Sequence, residues 1–376
     1  MDNLELIATA SFGLEAVVKK ELIDLGYTDL KVDNGKVTFK GTEKDIPKAN
    51  IWLRTADRVL VKMGEFEALT FDELFEKTKA LPWDEWIPVD GNFVVEGKSK
   101  DSKLFSISDC QRIVEKAIVE KLKTKYNVSW FEKTGPKYTV EVALLKDIAT
   151  LTIDTSGEGL HKRGYRKKQG EAPIKETLAA AMVLLSYWNK ERMLFDPFCG
   201  SGTILIEAAM IGKNIAPGID RSFASEEWPR IKKEYWTETR REALKAIDTK
   251  CRLQILGADI DKNIILRAKE NAANFGLEDD IVFINKDFRD VELKNQYGVV
   301  ITNPPYGERM GEKREVEKLY KDLGNKFKKL DTWSVYVITS HDDFERHYGR
   351  KADKKRKLYN GRIKVNYYQF YGPKPM

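Results

Sequence analysis

Five short apolar runs constrain residues 190–340: Met193–Phe195, Leu253–Ala258, Ile281–Asn285, Val299–Thr302 and Ser334–Thr339. Each is too short for a helix, and each is followed by a longer, more polar stretch with room for one. Strands alternating with crossover helices imply a parallel sheet with helices on both faces. The expected class is α/β, a Rossmann-like doubly wound domain over residues 165–376. Ligands of such sheets sit at the carboxyl ends of the strands, so the residues after each run are the ones to read.

The preceding residues follow another rhythm. A strand (Leu4–Ala8), a helix (Leu14–Leu25, ended by Gly26) and two short strands across Asn34-Gly35 come first, the dipeptide signalling a type I′ hairpin. Next are a strand (Val59–Met63), a helix (Phe71–Lys79), a strand (Phe93–Glu96), a helix (Ser108–Lys123) and two strands around Gly135-Pro136. This order predicts an α+β region of two domains, 1–60 and 61–156. Lys213–Lys250, with Trp228 and Trp236, is too long for a connector and reads as an inserted element. A last hairpin is expected at Asn360-Gly361.

With 376 residues and 42% apolar content, the chain can fill several cores. It has no run of 18 apolar residues to span a bilayer, and Met1-Asp-Asn-Leu-Glu lacks a secretory signal's basic start, so a cytoplasmic location is expected. Cys110, Cys199 and Cys251 are widely spaced and suit free thiols; with three His in all, no metal site is expected. Residues 1–160 carry 23 Lys and Arg against 28 Asp and Glu, and residues 161–376 carry 42 against 31. A polyanion is drawn to basic runs such as His161–Lys168 and Arg350–Lys357, and to residues 98–137, where ten cations face five anions. Lys98, Lys103, Arg163 and Arg166 are the candidate contacts to such a polyanion.

After the first run comes Asp196-Pro197-Phe198-Cys199-Gly200-Ser201-Gly202-Thr203. Gly200 and Gly202 let the backbone pass close beneath a ligand, and Thr203 opens a helix whose terminal amides can receive a carboxylate. No Lys-Ser/Thr follows the second glycine, which disfavours a nucleoside triphosphate. The second run leads into Asp259-Ile260, an acid placed to accept both hydroxyls of a ribose and an apolar side chain to pack on a base. Asp259 lies 57 positions after Gly202, too far for a plain nicotinamide fingerprint. Asp287 and Phe288 follow the third run, the first to accept from an adenine amino group, the second to stack on the ring. This order of parts suits S-adenosylmethionine.

The fourth run ends in Asn303-Pro304-Pro305-Tyr306. An exocyclic amine delocalises its lone pair into the ring and attacks a methyl sulfonium poorly. Accepting its two hydrogens with the Asn303 side-chain oxygen and the Pro304 carbonyl turns the lone pair towards the methyl group, so positioning does most of the catalysis. Tyr306 is placed to stack on a base swung out of its helix.

The stretches Asp196–Ala209 and Asn303–Arg309 resemble those of bacterial THUMP-domain RNA guanine-N2 methyltransferases, and the resemblance runs over essentially the whole chain. Residues 1–155 are similar to the family's ferredoxin-like and THUMP order. Gly159–Arg166 and Glu171–Lys175 are similar to its lead into the catalytic domain. Asn214-Ile-Ala-Pro-Gly218 and the tryptophan-bearing insert resemble the branch that makes N2-methylguanosine in 23S rRNA. The resemblance implies a THUMP unit that grips structured RNA, 23S rRNA or an assembling large subunit. It implies Asp196, Gly200, Gly202, Asp259 and Asp287 for the cofactor, and Asn303, Pro304 and Tyr306 for the amine. Some members carry a second methyltransferase domain after the first; ending at Met376, this chain is expected to have one activity. Guanine-N2 methylation of tRNA, adenine-N6 methylation of DNA or RNA, tRNA included, glutamine methylation of a protein, and a non-catalytic RNA-binding or assembly role are the alternatives.

Overall fold

The computed structural model describes residues 3–166, 174–307 and 313–375. Lys167 and Lys168 of the first basic run, Glu171–Pro173, and Glu308-Arg309 lie outside the described residues. The chain divides into two compact units, one of Met1–Ala10, Val18–Leu160 and Arg221–Glu242, the other of Ser11–Val17, His161–Asp220 and Ala243–Met376.

The first part of the chain runs β1 (Leu4–Ala10), α1 (Glu15–Asp24), β2 (Leu30–Asp33), β3 (Lys36–Gly41), α2 (Asp45–Trp52) and β4 (Ala56–Glu67). It continues through α3 (Phe71–Lys79), β5 (Asn92–Lys100), α4 (Ile107–Tyr126), β6 (Lys137–Leu145) and β7 (Ile148–Asp154). One seven-stranded sheet holds all seven strands in the order β2-β3-β1-β4-β7-β6-β5, so β4 carries it without a break across residue 60. Every neighbouring pair is antiparallel except β5 and β6. Thr70 caps α3 by accepting from the Glu73 N–H, which fixes its start at Phe71.

Two turns differ from expectation. Asn34-Gly35 joins β2 to β3, with Asp33 opposite Lys36, yet only Gly35 has a positive φ, so the loop is not type I′. Gly135-Pro136 is not between strands: the element before it is α4 and the one after it β6, and the hairpin turn is Lys146-Asp147, both at positive φ. Those two residues make the type I′ loop without Asn or Gly, which is why the sequence signal misplaced it.

The second unit contains α5 (Glu176–Leu184), β8 (Leu194–Asp196), α6 (Thr203–Gly212), then, beyond α7 (Lys233–Lys245), β9 (Ile255–Asp259), α8 (Lys262–Ala273), β10 (Val282–Asn285) and β11 (Val299–Thr302). After these come α9 (Lys313–Phe327), β12 (Ser334–Thr339), α10 (Phe344–Tyr348), β13 (Lys354–Asn360) and β14 (Ile363–Phe370). The sheet order is β10-β9-β8-β11-β12-β14-β13. The five expected strands are all present and mutually parallel. β14 is antiparallel to both its neighbours, so the sheet is mixed at one edge. All four residues of β11 and all six of β12 are buried, as a sheet covered on both faces requires.

Arg221–Glu242, most of the expected insert, packs within the first unit. Trp228 is buried there, stacked on Tyr138 at 4.5 Å between ring centres, with its indole N–H donating to the Lys137 carbonyl at 3.0 Å. Arg230 lies over the Trp86 ring and pairs with Glu43 and Glu85.

Candidate active site

In the second sheet the chain leaves β8 and β11 in opposite directions: β9 and β10 lie beyond one, β12 beyond the other. A crevice opens at the carboxyl ends of such a pair. The last residues of the two strands meet there, the Thr302 hydroxyl donating to Asp196 Oδ1 at 2.6 Å. The Phe198 N–H donates to the same oxygen at 3.1 Å. Asp196 is 1% exposed. Burial pushes its pKa up to about 7; the two hydrogen bonds oppose the rise, and the charge of Asp259 adds to it.

From Asp196 the chain bends through Pro197 and Cys199 into the glycines. Gly200 has φ +52°, and a Cβ built there meets nothing within 4 Å, so the backbone faces open space. Gly202, at φ +85°, has a different reason to be glycine: its Cβ would stand 3.0 Å from the Phe283 ring. The Gly200 N–H donates to Asp259 Oδ2 at 3.1 Å and the Asp261 N–H to Oδ1 at 3.0 Å, which ties the loop to the end of β9. Cys199 is buried, and burial holds its thiol well above the usual range, the form of an unreactive cysteine. Thr203 is buried at the first position of α6, with Gly202 as its cap. Ile260 is 75% exposed beside Asp259, an apolar side chain held out at the crevice. The Asn285 amide fixes this corner by donating to the Asp259 and Ile260 carbonyls at 3.0 and 2.9 Å.

Asp287 follows β10 as expected, but its carboxylate is engaged by the Arg289 N–H at 2.8 Å and the Arg289 guanidinium at 2.7 Å. Phe288 does not stand in the crevice. It is 2% exposed, packed between Phe198 and Phe327, so it has no open face for an adenine. An aromatic after a strand reads as a platform, and here the short turn Phe288–Asp290 rotates it into the core.

After β11, Asn303 Oδ1 accepts from the Tyr306 hydroxyl at 2.6 Å. Pro304 is buried. The carbonyl that a neighbour holds is that of Pro305, which accepts from the Tyr320 hydroxyl at 2.8 Å; this hydroxyl also lies 2.9 Å from Thr339 Oγ1. Sequence reasoning missed Thr302 and Tyr320. Thr302 carried a signal, a hydroxyl closing an otherwise apolar strand just before Asn-Pro-Pro. Tyr320 carried none, because only the fold brings α9 to the loop.

Of the four candidate RNA contacts, Lys98 and Lys103 are exposed, Lys98 paired with Glu141 at 2.8 Å. Arg163 and Arg166 are not surface cations. Arg163 is 2% exposed and pairs with the buried Glu207, and Arg166 pairs with Glu176 at 2.6 Å. The basic run that suggested a phosphate contact turns these two guanidinia inward, where carboxylates of α5 and α6 neutralise them.

A doubly wound sheet with an antiparallel last strand, a glycine loop after its first strand, an acid after its second and Asn-Pro-Pro-Tyr after its fourth define the Rossmann-like methyltransferases. The chain belongs to the family described as RMKL-like, methyltransferase domain, which matches residues 163–369. Residues 5–60 match the RlmL ferredoxin-like domain and residues 68–154 the THUMP domain. It is 56% identical over 99% of its length to the Bacillus subtilis (strain 168) protein named "Putative RNA methyltransferase YpsC", covering 97% of that protein. It is 34% identical over 89% of its length to the "Ribosomal RNA large subunit methyltransferase K/L" of Buchnera aphidicola subsp. Acyrthosiphon pisum (strain APS), and spans half of that relative. The crystal structure of SMU.472 complexed with SAH has a TM-score of 0.95, with 47% identity over the whole of both chains. No helix among the described residues is long and apolar enough to cross a membrane.

Proposed function

We propose that this protein is an S-adenosylmethionine-dependent RNA methyltransferase acting on the exocyclic N2 of a guanine in 23S rRNA. The observation that carries the reading is the Thr302–Asp196 hydrogen bond, which joins the glycine loop to the Asn303–Tyr306 loop at one crevice. The residues fit the cofactor: the open space over Gly200, the carboxylate of Asp259 and the exposed Ile260 supply a backbone cradle, a ribose acceptor and an apolar contact. SMU.472, similar over its whole length, was crystallised with SAH, the demethylated form of this cofactor. When bound, S-adenosylmethionine supplies an electrophilic methyl group on a sulfonium.

The chain does the rest by orientation. Asn303 Oδ1 exchanges its Tyr306 donor for one amine hydrogen and the Pro304 carbonyl accepts a hydrogen bond from the other, which aims the nitrogen lone pair; once methylated, the nitrogen is acidic and its extra proton is lost to solvent. Tyr306, released, stacks on the flipped base. The Tyr320–Pro305 bond keeps the loop in place. RNA as substrate follows the THUMP match and the name of YpsC; guanine-N2 in 23S rRNA follows the resemblance to the K/L branch. Residues 1–60 are assigned as a ferredoxin-like α+β domain, residues 61–156 to the RNA grip and residues 165–376 to catalysis.

The test supplies labelled S-adenosylmethionine and separate 23S, 16S and transfer RNA pools from cells lacking the gene, with nucleoside mass spectrometry of the products. Labelled N2-methylguanosine in 23S RNA is expected; label in transfer RNA moves the substrate, and another labelled nucleoside moves the atom. Asn303→Ala should lower turnover by about 100- to 1,000-fold, the usual loss of one transition-state hydrogen-bonding group, with cofactor affinity kept. Unchanged turnover refutes the amine site.

A further inference from the structure

Two of the three histidines come together with a carboxylate on one side of the second unit. Glu317 is on α9, His341 is in the turn after β12, and His347 is on α10. One ligating atom from each lies within 4.8 Å of the others. His347 Nε2 stands 3.8 Å from Glu317 Oε1, too far for a hydrogen bond. Both ring nitrogens of His341 and Nε2 of His347 are buried without a hydrogen-bond partner. Buried imidazole nitrogens are nearly always satisfied, so three unpartnered ones, with a nitrogen of each ring within 4.8 Å of a Glu317 oxygen, require an explanation. Packing supplies none: the rings of His341 and His347 meet edge to face at 5.5 Å, an arrangement an apolar aromatic pair would make without buried polar atoms.

We propose that Glu317, His341 and His347 form a binding site for one divalent transition-metal ion of the zinc type. Two imidazoles and one carboxylate are a zinc ligand set, leaving a fourth position open. Ligands about 2.1 Å from one zinc ion stand about 3.4 Å apart in a tetrahedron, so the three side chains, now within 4.8 Å of one another with one pair at 3.8 Å, would draw together on the ion by up to about 1.4 Å. Three separate elements supply the ligands, so the ion would cross-link α9, α10 and the turn after β12. That cross-link reaches the Asn303–Tyr306 loop: the His341 backbone N–H donates to Thr339 Oγ1 at 3.1 Å, and Thr339 shares the Tyr320 hydroxyl that holds Pro305. The site lies outside the cofactor crevice and stands whether or not the methyl acceptor is guanine.

The experiment uses the untagged full chain, stripped with a chelator and titrated with zinc alone against a chromogenic zinc indicator, with bound metal counted by mass spectrometry after dialysis. One equivalent per chain is expected. His341→Ala, His347→Gln and Glu317→Gln should each weaken binding tenfold or more, while the stripped variants melt with the stripped wild type. If His341→Ala does not fold, cobalt in the wild-type chain serves instead: intense visible bands of a four-coordinate site are expected, abolished in His347→Gln. Absence of stoichiometric zinc, or zinc and cobalt binding unaltered in the His347 and Glu317 variants, overturns the site.

Discussion

Asp196 combines two demands that conflict. Its carboxylate closes β8 and receives Thr302, which ties two loops together, yet its burial disfavours charge and brings its pKa to about 7 from an ordinary 3.8. The folded chain therefore retains a proton that the unfolded chain releases as pH rises from about 4 to 7. Stability from this group is fully present below pH 4 and is lost as pH rises through 7. S-adenosylmethionine is cationic and favours the ionised form, so the same proton opposes its binding. Its affinity should fall about tenfold between pH 8 and pH 6, the fraction ionised near a pKa of 7 setting the change. Calorimetric titration across this range checks it, and Asp196→Asn should bind more weakly with a flat profile. A sloping profile in the variant assigns the proton elsewhere.

At the scale of elements, α6 illustrates how a cofactor helix is anchored. Eight of its ten residues are buried, among them Glu207, which meets Arg163 at 3.3 Å and accepts from the Tyr165 hydroxyl at 3.2 Å. Replacing one member of such a pair leaves an uncompensated buried charge. Glu207→Gln is expected to cost about 3–5 kcal/mol, read as a shift in the denaturant midpoint. The same helix marks the limits of reading a sequence. β11 and β12 were legible to the residue, because fully buried parallel strands are continuous apolar runs with sharp polar ends. The glycine loop was legible because its positive φ values admit little else. Arg163 and Phe288 were misread, since exposure depends on what packs against a side chain, and neither α6 nor Phe327 adjoins it in sequence. Lys146-Asp147 adopted a turn that their residue types only weakly favour.

At the scale of the whole molecule, the acidic balance of residues 1–160 does not describe residues 98–137 within the THUMP match, where ten cations stand against five anions. Phe105 is 81% exposed two positions after the exposed Lys103, and Trp130 is 80% exposed. Large rings held in water among cations suit stacking on unpaired bases. Phe105→Ala and Trp130→Ala should each weaken RNA binding by about 1–3 kcal/mol with the salt dependence retained, whereas Lys103→Ala should flatten it. Filter binding across a salt series separates the two. No change in the aromatic variants places the grip on another face.

The first unit is also discontinuous in sequence. Trp228, which covers Tyr138, and Arg230, which pairs with Glu43 and Glu85, are among the later residues it needs. A ribosome making this chain has therefore translated the glycine loop and all of α6 before it supplies the segment that completes the N-terminal core. Folding cannot proceed strictly one unit after another: until residue 242 has emerged, the nascent N-terminal part carries an uncovered aromatic surface.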